Sequence, residues 1–370
     1  MKILYVTTIS LTINSFFKPH IDMLVREGHH VDIACNDNGL ALDPLYSALG
    51  CDFYRIDFSR SPLSSDNVKA FGQLKKVIET GNYDIVHCHT PNASVITRLV
   101  CRKYRKKTGL KVFYTAHGFH FFKGAPLLNW LVFYPIEKFC SRFTDKLITI
   151  NKEDYARAKE KFHAGEVCYV PGVGIDLSRF ENVQVDRAAK RREIGVPEDA
   201  FLLLSVGELN KNKNHRIIVK ALARLNDPNV HYAIAGVGDE MDHLLALAKE
   251  LGVSDQLHLL GYRRDIPELH RTADLFCFPS KREGLPIALI EAMASSLPVV
   301  CSRIRGCTDL VDSHGGCLCY VDNEQTFMSA VCYISENNLQ CLGEYNKKKA
   351  SFFENVAVTK RMRAIYFENE

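Results

Sequence analysis

The sequence predicts an α/β protein made of two successive doubly wound, Rossmann-like domains that face an interdomain cleft. Three observations predict it. Short apolar runs alternate with amphipathic helical stretches; the alternation breaks around Pro171, Gly172 and Gly174 and then restarts; and 370 residues exceed what one hydrophobic core usually serves.

The elements follow in order. Strand-like runs occupy Lys2–Thr7, Val31–Cys35, Asp52–Ile56, Asp84–His87, Lys111–Thr115 and Lys146–Ile150, with helical patterns at Phe16–Glu27, Asn67–Glu79 and Ala93–Lys106. Apolar strands separated by helices fold as a parallel sheet covered on both faces. After the turn-rich break, Asp176–Arg192 reads as polar and irregular. Phe201–Val206 then opens a second series, continued by His231–Ala235, Gln256–Leu260, Leu275–Phe278, Pro298–Cys301 and Cys317–Tyr320. No short-period repeat appears, which excludes a solenoid.

Composition narrows the class. Hydrophobic residues make up 46% and charged residues 24%, a globular balance that excludes a disordered chain. The opening MKILYVTTIS turns polar within ten positions and reads as a buried strand, not a secretory leader. No run approaches the roughly 18 apolar residues of a membrane span. The 13 cysteines show no metal or redox spacing and read as small hydrophobes in a reducing compartment. A cytoplasmic protein is the expectation. Net charge is unevenly shared: residues 1–170 hold 23 Lys+Arg against 16 Asp+Glu, and the remainder 24 against 27.

Open α/β sheets bind ligands beyond the carboxyl ends of their strands, so polar residues just after strands are the candidates. Chief among these segments is Phe278 to Met293, FPSKREGLPIALIEAM. A strand ends at Phe278, a polar loop follows, and Pro286 suits a first helical turn. Amides of Gly284, Leu285 and Ile287 at that helix start suit a diphosphate. Glu283 and Glu291 stand eight positions apart, about 12 Å if wholly helical. That exceeds the roughly 5–9.5 Å of glycosidase carboxylate pairs and suits two clamps on one long ligand. The plainer alternative is a capped surface helix carrying stray acids.

This segment resembles the EX7E motif of glycosyltransferase family 4, retaining enzymes of the two-domain GT-B fold. The resemblance implies that Glu283 holds the donor sugar and Glu291 the nucleotide ribose. It extends to EAMASSLPVVCSRIRG and covers nearly the whole chain. It also implies an acceptor-side domain over 1–170 and a nucleotide-sugar domain over 171–351. A terminal helix near 352–370 is expected to pack back on the first.

VGELNKNKNH, after the strand at Phe201–Val206, carries Lys213 where the family places a phosphate-binding lysine. Glu208 stands where the family has arginine, so half of the usual phosphate clamp is missing; Lys211 or Arg263 are the substitutes at hand. Tyr262 and Arg263 follow a later strand and are expected to border the base, largely through main-chain groups. The Gly236-Val-Gly238 turn is weak evidence for any ligand, since turns need glycine for geometric reasons. In the first domain, His117 ends the strand Lys111–Thr115 and matches the family histidine near the sugar ring. His87 and His89 also end a strand and are candidates for the acceptor side. The glycine-rich loop that many members carry after the first strand is absent, so no phosphate contact is assigned there.

No Asp-x-Asp, HExxH or paired Cys/His spacing occurs, which points to catalysis without metal or other cofactor. The expected partners are a nucleotide-sugar donor, read as a UDP-sugar, and a polyprenyl-diphosphate-linked saccharide. The latter follows because HGFHFFKGAPLLNWLVFYPIEKF and VGELNKNKNH look like the exopolysaccharide and capsule branch. Basic residues from Arg98 to Lys111 beside the aromatic stretch Phe119–Phe139 suit peripheral contact with anionic lipid. The plainer reading is a solvated helix end and a core helix. No stacking platform accompanies the charge, which argues against nucleic acid. A UDP-sugar epimerase of similar architecture, or a nucleotide-sugar sensor without turnover, would use the same binding residues.

Overall fold

A computed structural model describes residues 1–367. The chain divides into two compact units, Met1–Gly174 with the segment from Asn355 onward, and Ile175–Glu354.

The first unit carries seven parallel strands: β1 (Lys2–Ile9), β2 (His30–Asn36), β3 (Phe53–Arg55), β4 (Ile85–His89), β5 (Lys111–Ala116), β6 (Lys146–Thr149) and β7 (Glu166–Tyr169). Their order is β3-β2-β1-β4-β5-β6-β7. The period-two pleat splits the core. Ile3 and Tyr5 face a cluster with Phe17, Phe113 and Tyr366, whereas Leu4 and Val6 face one with Leu74, Val100 and Phe121. The helix Asn355–Phe367 contributes Val358, Met362 and Tyr366 to the first cluster, so the chain's end completes the unit in which it began.

The second unit carries six parallel strands: β8 (Phe201–Val206), β9 (Val230–Ala235), β10 (Leu257–Gly261), β11 (Leu275–Phe278), β12 (Val299–Ser302) and β13 (Gly316–Cys319). They run in the order β10-β9-β8-β11-β12-β13. Leu202 and Leu204 face one core, Leu203 the other.

Three local readings change. The sequence gives no signal for β7, whose four residues begin at an exposed Glu166 and bury only Cys168. Phe16–Glu27 is two helices, Ser10–Phe16 and Lys18–Arg26, divided where Pro19 restarts the chain. Arg187–Glu193 is helical, started by Asp186, whose carboxylate accepts from the Ala189 amide. No helix among the described residues is long and apolar enough to cross a membrane. All 13 cysteines are free and nine are buried, the placement of small hydrophobes.

Candidate functional site

In the second unit three loops, from the carboxyl ends of β8, β11 and β12, converge on Glu283. The β8 loop is shaped by asparagines. Asn210 accepts from the Lys213 amide (2.9 Å), and Asn214 takes a left-handed φ of 56°. Asparagine tolerates that conformation better than most side chains. The loop is then stitched to the β11 loop: the Lys281 amide donates to the Asn212 carbonyl (2.8 Å), Asn212 Nδ2 to Arg282 (3.1 Å) and Asn214 Nδ2 to Pro279 (3.3 Å).

This stitching brings Lys213 Nζ to 2.8 Å from Glu283 Oε1, with 23% and 16% of the two side chains exposed. The ammonium also lies 5.1 Å from the Phe278 ring centroid. Arg305, buried beyond β12, donates from Nε to the Glu283 carbonyl (3.0 Å). Gly306 follows at φ 79°, and a Cβ there would stand 2.5 Å from the Gly284 carbonyl oxygen. Only glycine allows that approach. A partly exposed cation and carboxylate, held by backbone from three strands, form a preorganised polar site able to meet an anion and hydroxyls together.

Gly284 and Leu285 precede the helix, which begins at Ile287 with Pro286 as its cap residue rather than inside its first turn. Glu291 lies on that helix, Ile287–Ala294. Burial pushes its carboxyl up to about 7, opposed by the Arg179 charge. Only half of the Glu283-to-Glu291 interval is helical, so the wholly helical spacing assumed from sequence does not apply.

Glu208 is exposed and accepts from Asn210 Nδ2 (2.9 Å). Tyr262 is 73% exposed beyond β10. Arg263 is not a spare cation. Its guanidinium is bound by Asp265 (2.8 Å) and Glu193 (2.6 Å), and it holds the Asp265 carboxyl far below the usual range. Lys190 pairs with the same two carboxylates (3.0 and 2.7 Å), so the cluster of two cations and two acids brings no net positive charge to a diphosphate. Lys211 is exposed and lines a cavity of about 120 Å³ with Asn210, Asn214, His215, Arg216 and Lys281. The Gly236-Val-Gly238 turn packs: a Cβ on Gly236 would sit 1.8 Å from the Gly207 oxygen, and one on Gly238 2.3 Å from that of Leu209.

In the first unit the strand-end histidines gather around Tyr5 and Phe17. His89 Nδ1 lies 3.2 Å from His117 Nε2, and the His89 ring is 4.1 Å from Phe17 and 4.2 Å from His87. His117 is half-buried, and desolvation with the His20 charge lowers its pKa to about 4, so the ring is neutral at pH 7. His87 is fully buried between Thr115 Oγ1 (2.8 Å) and the Tyr366 hydroxyl, and His89 is 1% exposed. Both are packed among aromatic rings, and burial holds their pKa values well below the ordinary histidine range. The burial comes from the sheet itself, because successive residues of β4 are buried on both faces.

Sequence reasoning missed Arg305 and the asparagine stitches. The signal for Arg305 was its place just past a strand, the same criterion that found Lys213. Among the described residues, His30, Asp32 and Asp52 group closely enough for a metal. Asp32, however, already accepts from Tyr83 (2.7 Å) and pairs with His30 (2.8 Å) and Lys2 (3.3 Å), at the amino end of the sheet.

Two Rossmann-like parallel sheets, one of them with a lysine–glutamate pair at its strand ends, define the GT-B class of fold. Solved structures agree: Anabaena HepE in complex with UDP and glucose superposes with a TM-score of 0.77 at 20% identity, covering 100% of both chains. WaaG, a glycosyltransferase involved in lipopolysaccharide biosynthesis, gives 0.72 at 18% over 99% of each. Residues 186–350 match the family described as glycosyl transferases group 1, and residues 2–151 the glycosyl transferase 4-like family. The chain is 37% identical to the putative glycosyltransferase EpsD of Bacillus subtilis, over 99% of its own length and 96% of that protein's. It is 26% identical, over 86% and 83%, to the Escherichia coli UDP-Gal:alpha-D-GlcNAc-diphosphoundecaprenol alpha-1,3-galactosyltransferase. The chain belongs to the family 4 glycosyltransferases.

Proposed function

We propose that this glycosyltransferase moves a hexosyl or N-acetylhexosaminyl group from a UDP-sugar to a hydroxyl of a polyprenyl-diphosphate-linked saccharide, with retention and without metal, in surface polysaccharide synthesis. The observation that carries the donor half is the Lys213–Glu283 pair (2.8 Å). Each partner is charged, partly exposed and held by backbone, so a donor can replace the pair with two matched contacts. Lys213 turns to the departing diphosphate, and Glu283 accepts hydrogen bonds from sugar hydroxyls. Glu291 takes the ribose, and its raised pKa makes that contact pH-sensitive. The main chain beyond β10 at Tyr262 and Arg263 borders the base, and Gly284, Leu285 and Ile287 border the diphosphate. His117, neutral at physiological pH, is assigned to the transferring sugar as an uncharged hydrogen-bonding group.

The acceptor half rests on relatives. The Escherichia coli relative acts on a GlcNAc-diphosphoundecaprenol. For retention, the bond from the anomeric carbon to the diphosphate oxygen breaks while the acceptor oxygen bonds on the same face. The acceptor proton passes to the departing diphosphate, so no enzyme nucleophile is needed.

The test is to supply nucleotide sugars with and without a polyprenyl-diphosphate GlcNAc acceptor and follow UDP release and product anomeric configuration by NMR, with EDTA present. Acceptor-dependent UDP release with an α-linked product is expected. Interconversion of two UDP-sugars without acceptor would mark an epimerase. Tight binding without turnover would mark a sensor.

A further inference from the structure

His89 and His117 meet through one nitrogen each, His89 Nδ1 and His117 Nε2 at 3.2 Å. Both rings are neutral at pH 7, so each carries a single ring proton and one proton serves the contact. Two arrangements are open. Either His89 Nδ1–H donates to His117 Nε2, or His117 Nε2–H donates to His89 Nδ1.

The surroundings choose between them. The His89 ring cannot turn: it stacks on Tyr5 (5.3 Å between centroids, 23° between planes) and lies 4.1 Å from Phe17 and 4.2 Å from His87. Its second nitrogen, Nε2, is buried without a hydrogen-bond partner. If His117 donated, the His89 proton would have to sit on that Nε2, as a buried N–H with no acceptor. A buried orphan N–H is rarer in folded proteins than an under-satisfied acceptor, and it carries its full desolvation cost. If His89 donates, its proton is partnered by His117 and Nε2 keeps only a lone pair.

His117 then carries its own proton on Nδ1. This ring is half-buried, and among the described residues neither of its nitrogens is a buried atom lacking a partner. Water or a ligand can accept from it there. Only this arrangement leaves no N–H stranded.

We propose that His89 is a positioning residue that fixes His117 in the Nδ1–H tautomer, so that His117 offers a donor N–H, and not a lone pair, to a hydroxyl oxygen of the transferring sugar. The bond made at one imidazole nitrogen sets the proton on the other. Free histidine in water favours the Nε2–H form, so the buried neighbour holds His117 in the minor one. The inference rests on the assignment of His117 to the sugar made above and adds its polarity.

The experiment is long-range proton–nitrogen NMR of the full chain with labelled histidine and no ligand, the His117 ring being assigned by loss of its signals in His117→Gln. Wild type should show His117 with Nδ1 protonated and Nε2 bare. His89→Phe keeps a ring between Tyr5 and Phe17 but removes the donor. It should return His117 to Nε2–H and lower kcat about tenfold, the worth of one neutral hydrogen bond, with KM for UDP-sugar little changed. His89→Asn leaves a cavity yet sets an amide N–H near the Nδ1 position. It should melt lower than His89→Phe but keep the Nδ1–H tautomer and most of kcat, an order that packing alone does not produce. An Nε2–H His117 in the wild type would overturn the proposal, and so would an Nδ1–H tautomer that persists in His89→Phe. A tautomer that switches in His89→Phe with kcat unmoved would instead leave the part played by His89 standing and sink the assignment of His117 to the sugar.

Discussion

The two units place polar residues at equivalent positions, just beyond the carboxyl ends of parallel strands, yet treat them in opposite ways. In the first, His87, His89 and His117 are packed ring against ring, desolvated and neutral. In the second, Lys213 and Glu283 are charged and partly exposed. The difference teaches that position at a strand end nominates a residue but does not decide its role. Side-chain direction and access to water decide it. The second unit keeps its charge accessible; in the first, His87 ties the sheet to the helix Asn355–Phe367 through the Tyr366 hydroxyl.

The sharpest way to break this comparison is to remove charge from one unit and imidazole from the other. Lys213→Ala and Glu283→Ala should each lower transfer by about 10²–10³-fold, the usual loss for one preorganised transition-state contact. Both should leave thermal unfolding nearly unchanged. His87→Ala should do the reverse, costing about 2–4 kcal/mol of stability through lost hydrogen bonds and a cavity. Its activity below the melting transition should fall less than tenfold. If His87→Ala abolishes turnover in a fully folded protein, the contrast is wrong.

The histidines also set a pH signature. Burial lowers the pKa of His20, His87, His89 and His117 in the folded state. Their neutral burial therefore contributes stability that is present above the ordinary value near 6.5 and is lost as pH falls through the lowered values. Thermal melts should show the first unit weakening from about pH 6.5 towards 4. A His87→Phe variant should flatten part of that slope.

Glu291 titrates in the opposite sense. Its carboxyl is raised from 4.5 to about 7, so its protonated form favours the fold below pH 4.5 and that advantage is lost as pH rises through 7. Glu291→Gln should raise stability at pH 8 by on the order of 2–3 kcal/mol and gain little at pH 5. The same variant should weaken UDP-sugar binding and remove its dependence on pH between 6 and 8. Titration calorimetry at three pH values checks both. The smallest effect is expected for Arg305→Lys, about tenfold in kcat with KM little changed, because lysine keeps the charge but loses the directed Nε contact to the Glu283 carbonyl.

Much of this was legible in the residues. Hydrophobic period and the break near Gly174 yield twelve of the strands, because most of them are apolar runs buried on both faces, the edge strand β3 excepted. Lys213 and Glu283 were each nominated by motif, but not their 2.8 Å contact. That depends on asparagine hydrogen bonds between loops about 70 residues apart, which no local pattern encodes. Arg263 illustrates the converse: its position suggested a free cation, and Glu193, distant in sequence, takes up its charge.

By itself the sequence determined the α/β class, the break between the units and the acidic and basic residues available to a donor, since these follow from local periodicity and residue chemistry. Only the tertiary structure decided which strand-end side chains meet water, which charges cancel and which helix face is left bare. Those outcomes depend on neighbours brought together by folding: desolvation by such neighbours turns a histidine into core, and its absence leaves Lys213 within reach of water.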